Sequence, residues 1–389
     1  MRKNLIFLFV VFFSIFLTSC GVNPNKGTYP GYGKIPENFV MGEYVIEEEV
    51  NLTCIAHNDN NYYEAWTEIV HEYHGVFNYY NNFYPLKTNN RLTINGPKGI
   101  DFEVSLLNEQ KEVVYTSHPD SFGVCYLFPN WYNDSYNILV KYINKDTLEE
   151  VVTEYNIYRE ITLNIKAVKV EKEIIDLMFV VDTTASMTEE LDYLKNEINN
   201  VIEDVASINS CIVNVAVLLY KDKGEVYETL YSDFTTNVND QVEFLSNKIA
   251  YGGGDYEEAV DVAINEAYNK SWSSVPSTKI LVHIGDAPAH DENISEWYNA
   301  MLNLCGKGVQ LITVASSGIN KKTEYLFRSM TLISNGYYVA LTNDSGVEGD
   351  YMDPTIDLEL TIEYLDDCLV RLINVFHNGI YYDPIPIEK

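Results

Sequence analysis

The sequence predicts an all-β sandwich domain followed by an α/β domain with a doubly wound, mostly parallel sheet. Between about residues 40 and 166 apolar and polar residues alternate, as at Phe102 and Val104, and this period of two favours short antiparallel strands. After Lys172 apolar runs alternate with segments whose apolar residues recur at helical spacing, which is typical of repeated β-α units. The change of period predicts a domain boundary near residue 168.

The α/β domain is predicted to cover residues 169–380, after a β-sandwich over residues 40–168. Its first strand, Ile174 to Val181, is almost continuously apolar, as expected for a strand that is covered on both faces. The elements predicted after it are helix 191–205, strand 212–220, helix 259–268, strand 280–284, helix 294–305, strand 309–315, helix 323–333, strand 337–341 and a closing amphipathic helix 355–377.

Length and charge limit the classes of function. The 389 residues suggest two domains, and a hydrophobic fraction of 46% is enough for an ordinary core, so a globally disordered chain is excluded. Acidic residues number 57 against 26 lysines and arginines, which gives a formal net charge of −31. This charge repels phosphate backbones, so we expect no nucleic-acid partner. The P-loop motif is absent from the sequence, and we expect no nucleotide either.

The N-terminus has the features of an export signal. A basic start, Met1 to Asn4, precedes an apolar run from Leu5 to Leu17 that is shorter than the roughly 20 residues needed to span a bilayer. The run ends in Leu-Thr-Ser-Cys-Gly, which resembles the lipobox of bacterial lipoproteins and implies removal of residues 1–19 and acylation of Cys20. We therefore expect a lipid-anchored protein on the outer side of the cell membrane or at the cell surface, with residues 20–39 as a tether. An ordinary cleaved signal peptide with an incidental cysteine is the alternative.

The other five cysteines are scattered along the chain. Their spacings fit no zinc site, and most are expected to be buried apolar residues. An exported protein permits disulfides, so a bridge between Cys54 and Cys125 is left open.

Three polar loops follow strands of the predicted parallel sheet or precede its helices. The first carries Asp182, Thr184 and Ser186, the second carries Asp255 after three glycines, and the third carries Asp286. Ligands of such sheets bind at the carboxyl ends of the strands, where these loops meet. Carboxylate and hydroxyl oxygens are hard donors that suit Mg²⁺, and a divalent cation would also relieve the repulsion between the acids.

These residues resemble the metal-ion-dependent adhesion site of the von Willebrand factor type A domain. The family's D-x-[ST]-x-S motif corresponds to Asp182, Thr184 and Ser186, and its third-loop aspartate corresponds to Asp286. Asp255 stands where the family usually has threonine. The resemblance covers about residues 174–377 and implies a site for Mg²⁺, or for another hard cation such as Mn²⁺ or Ca²⁺, that recognises a protein or cell-surface ligand without enzymatic activity.

Several alternatives remain open at this stage. Asp255 and Glu258 fit a capping box for the following helix as well as a metal site, and Glu258 is otherwise expected in a solvated helix start. His290 is expected to be an ordinary surface histidine. A third carboxylate beside Asp182 and Asp286 would leave the loaded site negative and weaken its attraction for an acidic ligand. A metal-dependent hydrolase and a structural or assembly module with a loop-stabilising metal are therefore the alternative functions.

Overall fold

The computed structural model describes residues 52–71, 75–343, 351–356 and 358–387. The predicted signal peptide, the predicted lipid-attachment residue Cys20 and the predicted tether lie outside the described residues. Within those ranges, no helix has both the length and the apolar character needed to cross a membrane.

The described part of the chain before residue 168 contains helices as well as strands. Its elements are β1 (Thr53–His57), α1 (Tyr63–His71), α2 (Val76–Phe83), β2 (Leu92–Asn95), β3 (Glu103–Leu107), β4 (Val113–Ser117), β5 (Val124–Leu127), β6 (Tyr136–Ile143), β7 (Glu150–Ile157) and β8 (Glu160–Thr162). One small sheet has the strand order β5-β2-β8 and the other the order β4-β3-β6-β7. Buried residues of both sheets belong to one hydrophobic cluster, so the β region expected before the α/β domain is present.

The remaining elements alternate between strand and helix for most of their length. They are β9 (Ile174–Asp182), α3 (Thr188–Asn209), β10 (Ile212–Tyr220), β11 (Thr229–Thr235), α4 (Val238–Ser246), α5 (Val260–Tyr268), β12 (Thr278–Gly285), α6 (Ile294–Gly306), β13 (Val309–Ala315), α7 (Lys321–Ser334), β14 (Tyr337–Leu341), β15 (Glu363–Tyr364) and α8 (Leu365–Asn378).

Eight strands form the large sheet in the order β11-β10-β9-β12-β13-β14-β1-β15. The five strands from β10 to β14 in that order run parallel, whereas β11 and β1 pair antiparallel with their neighbours. The predicted doubly wound, mostly parallel sheet is therefore confirmed.

Both faces of this sheet are covered by helices, and β9 shows why its sequence is so apolar. Ile175, Leu177 and Phe179 belong to a cluster with residues of α3, α4 and α8. Met178 and Val180 belong to the other cluster, with residues of α5, α6 and α7. A strand buried on both sides can carry few polar side chains, so the alternation typical of a half-exposed strand is lost.

The segment before residue 168 differs from the sequence prediction in two respects. First, β1 lies in the large sheet, paired with β14, and not in the predicted sandwich. Second, α1 and α2 pack near α7, where the rings of Trp66, Phe77 and Tyr325 lie 5.6–5.9 Å apart between centroids. These helices were missed because the prediction extended the period of two over a stretch where Trp66 and Val70, the buried residues of α1, are four positions apart. The domain boundary near residue 168 stays a prediction.

Two smaller expectations also need correction. The closing helix begins at Leu365 and not at residue 355, because the chain before it forms β15, which pairs with β1. Cys54 and Cys125 are free thiols buried in different hydrophobic clusters, so no bridge joins them.

Candidate metal centre

The candidate site lies at the carboxyl ends of the central parallel strands. Asp182 is the last residue of β9, which pairs with β10 on one side and β12 on the other. Asp286 directly follows Gly285, the last residue of β12. The fold therefore places these two carboxylates on adjacent strand ends, as the sequence analysis expected.

One oxygen of Asp182 is fully used and the other is not. Asp182 Oδ1 accepts hydrogen bonds from the backbone N–H and from the hydroxyl of Thr184, both at 2.8 Å. Asp182 Oδ2 is buried and has no hydrogen-bond partner. A buried carboxylate oxygen without a partner is costly, so this atom points to a missing positively charged neighbour.

The side chains of Asp182, Thr184, Ser186 and Asp286 follow one another in a chain of polar contacts. Thr184 Oγ1 lies 3.3 Å from Ser186 Oγ, and Ser186 is near enough to Asp286 to lower the pKa of its carboxylate. The structure thus brings together four of the five residues proposed as metal ligands. Their oxygens, two carboxylates and two hydroxyls, form a donor set that suits a hard divalent cation.

The site is strongly acidic and poorly solvated. Burial, followed by the charge of Asp286, raises the pKa of Asp182 to about 7. Burial also raises the pKa of Asp286. Glu190, at the start of α3, is only 3% exposed, and burial followed by the charges of Asp286 and Glu189 raises its pKa to about 7. A divalent cation would favour the ionised forms of these acids.

Asp255, the fifth proposed ligand, occupies a different position. Its side chain is exposed, and it makes no hydrogen bond to the other four proposed ligands. Instead it groups with Asp222 and His290, and one potential ligand atom from each of these three residues lies within 4.8 Å of the others. The capping alternative for Asp255 is wrong, because α5 begins only at Val260 and has no side-chain cap.

Glu258 is buried, in contrast to the sequence prediction. It was expected in a solvated helix start, but it is only 3% exposed and its Oε2 is buried without a partner. Burial raises its pKa to about 9, together with the charges of Asp182, Asp222, Asp286 and Asp255. The charges of both the Asp182 group and the Asp255 group therefore act on Glu258.

The glycine run explains how the second loop approaches the first. Gly253 has a φ of +88°, and a Cβ at this position would lie 3.3 Å from Thr184 Cβ and 3.4 Å from Glu258 Oε1. A side chain would be strained there and would crowd both neighbours. The three glycines before Asp255 were therefore the signal that this loop packs closely against the site.

A buried lysine holds the first two loops together. Lys221 is fully buried, and its ammonium group donates hydrogen bonds to the backbone carbonyls of Thr183 and Tyr251. It contributes the charge that partly offsets the acids, since its charge lowers the pKa of Asp182. No sequence motif marked this residue, because its role depends on how β10 lies beside β9.

The fold and this oxygen-rich site define a doubly wound α/β domain with a candidate cation centre at its strand ends. Residues 176–348 match the family model of the von Willebrand factor A domain. This part of the chain, which carries the candidate site, therefore matches the von Willebrand factor A domain, as the resemblance predicted.

Two curated proteins and two solved structures are similar to parts of the chain. A putative ariadne-like RING finger protein of Acanthamoeba polyphaga mimivirus is 28% identical over 120 residues, which cover 31% of this chain and 12% of that protein. The alpha-protein kinase vwkA of Dictyostelium discoideum is 25% identical over 182 residues, which cover 46% of this chain and 29% of the kinase. The chain thus spans less than a third of each of these relatives.

Both solved structures are bacterial proteins with low sequence identity to this chain. The conserved hypothetical protein BatB of Bacteroides thetaiotaomicron has a TM-score of 0.30 and 14% identity, with coverage of 54% of this chain and 91% of that chain. The pilus adhesin SpaC of Lactobacillus rhamnosus GG, in its open conformation, has a TM-score of 0.34 and 11% identity, with coverage of 60% and 31%.

Proposed function

We propose that this protein binds a protein or cell-surface ligand through a divalent cation, preferably Mg²⁺, held by Asp182, Thr184, Ser186 and Asp286. The match of residues 176–348 to the von Willebrand factor A domain model supports a binding role. The unpartnered, buried Oδ2 of Asp182 is the observation that carries the cation proposal. When bound, the cation supplies a Lewis-acidic position at which an oxygen of the ligand can coordinate.

Each of these residues makes a different contribution to holding that cation. Asp182 offers its free oxygen, while Thr184 and Ser186 offer hydroxyls held in place by the chain of contacts. Asp286, from the next strand, contributes a carboxylate directly or through water. Asp255 groups instead with Asp222 and His290, so it is not counted among the ligands of this cation.

Calorimetric titration with Mg²⁺ of the chelator-treated protein tests the cation proposal. We expect the wild-type chain to bind Mg²⁺ and to unfold at a higher temperature in its presence, because a ligand that binds only the native state stabilises it. Asp182→Asn should lose both effects, and the exposed Asp204→Asn should retain them. Equal Mg²⁺ responses in wild type and Asp182→Asn would show that the cation is not bound here.

Recognition of a ligand requires a separate measurement. Cells or surface extracts of the native host are incubated with the wild-type protein in Mg²⁺ or in chelator, and retention of the protein is measured. Adhesion predicts retention in Mg²⁺ that is lost in chelator and in Asp182→Asn. If retention is the same in Mg²⁺, in chelator and in Asp182→Asn, while Mg²⁺ still stabilises the wild-type protein, a structural role for the ion is favoured.

We further propose that the protein is anchored to the outer side of the cell membrane by acyl chains on Cys20. The apolar run that ends in Leu-Thr-Ser-Cys-Gly supports this proposal. Growth with an alkyne-labelled fatty acid should label the wild-type protein but not Cys20→Ala. Cys211→Ala, which alters a half-buried cysteine of the α/β domain, is the matched control and should stay labelled.

A further inference from the structure

We infer that the protein carries a second cation site, formed by Asp222, Asp255 and His290, which takes a transition-metal ion such as Zn²⁺ or Mn²⁺. One potential ligand atom from each residue lies within 4.8 Å of the other two. Around a single ion with bonds of about 2.0–2.2 Å, ligand atoms lie roughly 3–4 Å apart, so small side-chain movements suffice to bring all three to one ion. This inference does not require the proposed adhesion function.

Three separate loops supply these residues, and backbone hydrogen bonds hold the loops together. Asp222 follows β10, Asp255 lies in the glycine loop and His290 follows β12. The carbonyl of Lys221, beside Asp222, accepts a hydrogen bond from Ala259 N at 3.3 Å, and the carbonyl of Pro288 accepts one from Glu258 N at 3.0 Å. The group is therefore placed by the fold of the loops around the glycine run.

His290 gives this group a chemistry that the Asp182 group lacks. His290 Nε2 lies 2.7 Å from Asp222 Oδ1, and their side chains are only 15% and 13% exposed. The imidazole is thus already directed at the carboxylate that would share the ion. Imidazole nitrogen combined with carboxylate oxygen favours transition metals over Mg²⁺, which prefers oxygen ligands alone. Asp255 is exposed and leaves one side of the site open to solvent.

Glu258 gives an independent indication of positive charge at this position. Glu258 is only 3% exposed, and its Oε2 is buried without a hydrogen-bond partner. Its backbone forms a parallel bridge with Ala289, the residue before His290, so the side chain starts beside this group. The charges of Asp222 and Asp255 reach it and raise its pKa, in addition to burial and the charges of Asp182 and Asp286. A buried, unpartnered acid on which the charges of Asp222 and Asp255 act is relieved when a cation binds between those two residues.

The test is calorimetric titration of the full chain with Zn²⁺ in a saturating excess of Mg²⁺, which occupies hard oxygen sites. We expect wild type to bind Zn²⁺, and Asp255→Asn and His290→Gln to bind it about 10–100-fold more weakly. Asp182→Asn should keep the wild-type affinity for Zn²⁺. The exposed His71→Gln is the matched control and should also bind as wild type does.

Substitution with Co²⁺ provides a direct readout of the histidine ligand. Visible absorption of the bound Co²⁺ should change or vanish in His290→Gln and stay unchanged in His71→Gln. Because Asp255 is exposed, Asp255→Asn should fold normally, so its Zn²⁺ affinity decides the question even if His290→Gln is unstable. Wild-type Zn²⁺ affinity in Asp255→Asn, or loss of Zn²⁺ binding in Asp182→Asn, would overturn the inference. If the wild-type protein binds Zn²⁺ but not Mg²⁺, only the proposed function is refuted.

Discussion

The guanidinium of Arg328 and the carboxylate of Asp59 form a fully buried, two-pronged ion pair that ties the N-terminal segment to α7. Arg328 Nε donates to Asp59 Oδ2 at 2.9 Å and Nη2 donates to Oδ1 at 2.6 Å. Nη1 donates to Glu324 Oε1 at 3.0 Å, and neither Arg328 nor its two acidic partners is exposed. Burial would raise the pKa of Asp59, but the charges of Arg328 and His57 outweigh it and hold the pKa below its ordinary value. The segment around β1 is therefore an integral part of the large sheet's core.

Removing this arginine should be costly. Arg328→Met leaves Asp59 buried without the guanidinium and Glu324 with only Lys321 as a positive partner, so we expect the free energy of unfolding to fall by about 3–5 kcal/mol. Urea denaturation measures the change. Lys111→Met breaks the exposed Lys111–Glu154 pair, with side chains 64% and 37% exposed, and should cost at most about 1 kcal/mol. Similar costs for the two variants would contradict the structural role of the buried pair.

Gly336 makes a second specific prediction about stability. It lies between α7 and β14, and a Cβ at this position would be 1.9 Å from the backbone oxygen of Leu311. Backbone atoms inside a sheet cannot move away easily, so Gly336→Ala should destabilise the protein by about 1–3 kcal/mol or more. A Cβ at Gly254 would meet no atom within 4 Å, and Gly254→Ala should have little effect. Thermal unfolding of both variants checks the contrast.

The sequence predicted strands that are buried on both faces better than it predicted pairings between distant segments. Strands such as β13 and β14 were predicted with the bounds that the structure shows, because burial on both faces leaves a continuous apolar run. Contacts between distant segments were not predictable in this way. β1 and β15 are short, and the pairing of β1 with β14 and with β15 joins segments from opposite ends of the described chain.

In the candidate site, too, residues that share a loop could be predicted, whereas residues that the fold brings together could not. Asp182, Thr184 and Ser186 share one loop, so their motif could be recognised from spacing alone. Glu258 and Lys221 come from other loops, and no local pattern marks a residue whose role is to be buried beside another strand end. Asp255 groups with Asp222 and His290, which sequence order alone does not reveal, and its role as a metal ligand beside Asp182 stays a prediction.

The pH dependence of stability should weaken when metal is bound. In chelator, native Asp182 and Glu190 hold their protons up to about pH 7, whereas the ordinary values are 3.8 and 4.5. The folded protein thus binds more protons than the unfolded chain in this range, so its stability must fall as the pH rises from about 4 towards 7. With saturating Mg²⁺ the acids near the cation ionise without penalty, and the fall should shrink or disappear. Unfolding temperatures measured across this range, with and without Mg²⁺, test both parts. Parallel pH profiles in the two conditions would argue against a cation at these acids.

Glu258→Gln tests whether the buried carboxylate destabilises the metal-free protein and whether it stabilises the metal-bound protein. In the metal-free protein the folded pKa of about 9 lies above the ordinary value of 4.5, so the wild-type glutamate loses stability as the pH rises between them. Glutamine cannot ionise, and we expect the metal-free variant to be more stable than wild type by on the order of 1–3 kcal/mol at neutral pH. The gap should widen as the pH approaches 9.

With metal the order should reverse or the gap should close, because the variant offers the cations one less negative charge. Urea denaturation at several pH values, in chelator and in Mg²⁺ with Zn²⁺, measures these differences, and the exposed Glu292→Gln is the control. A variant that follows the wild-type pH profile in chelator would show that Glu258 is not a strained acid.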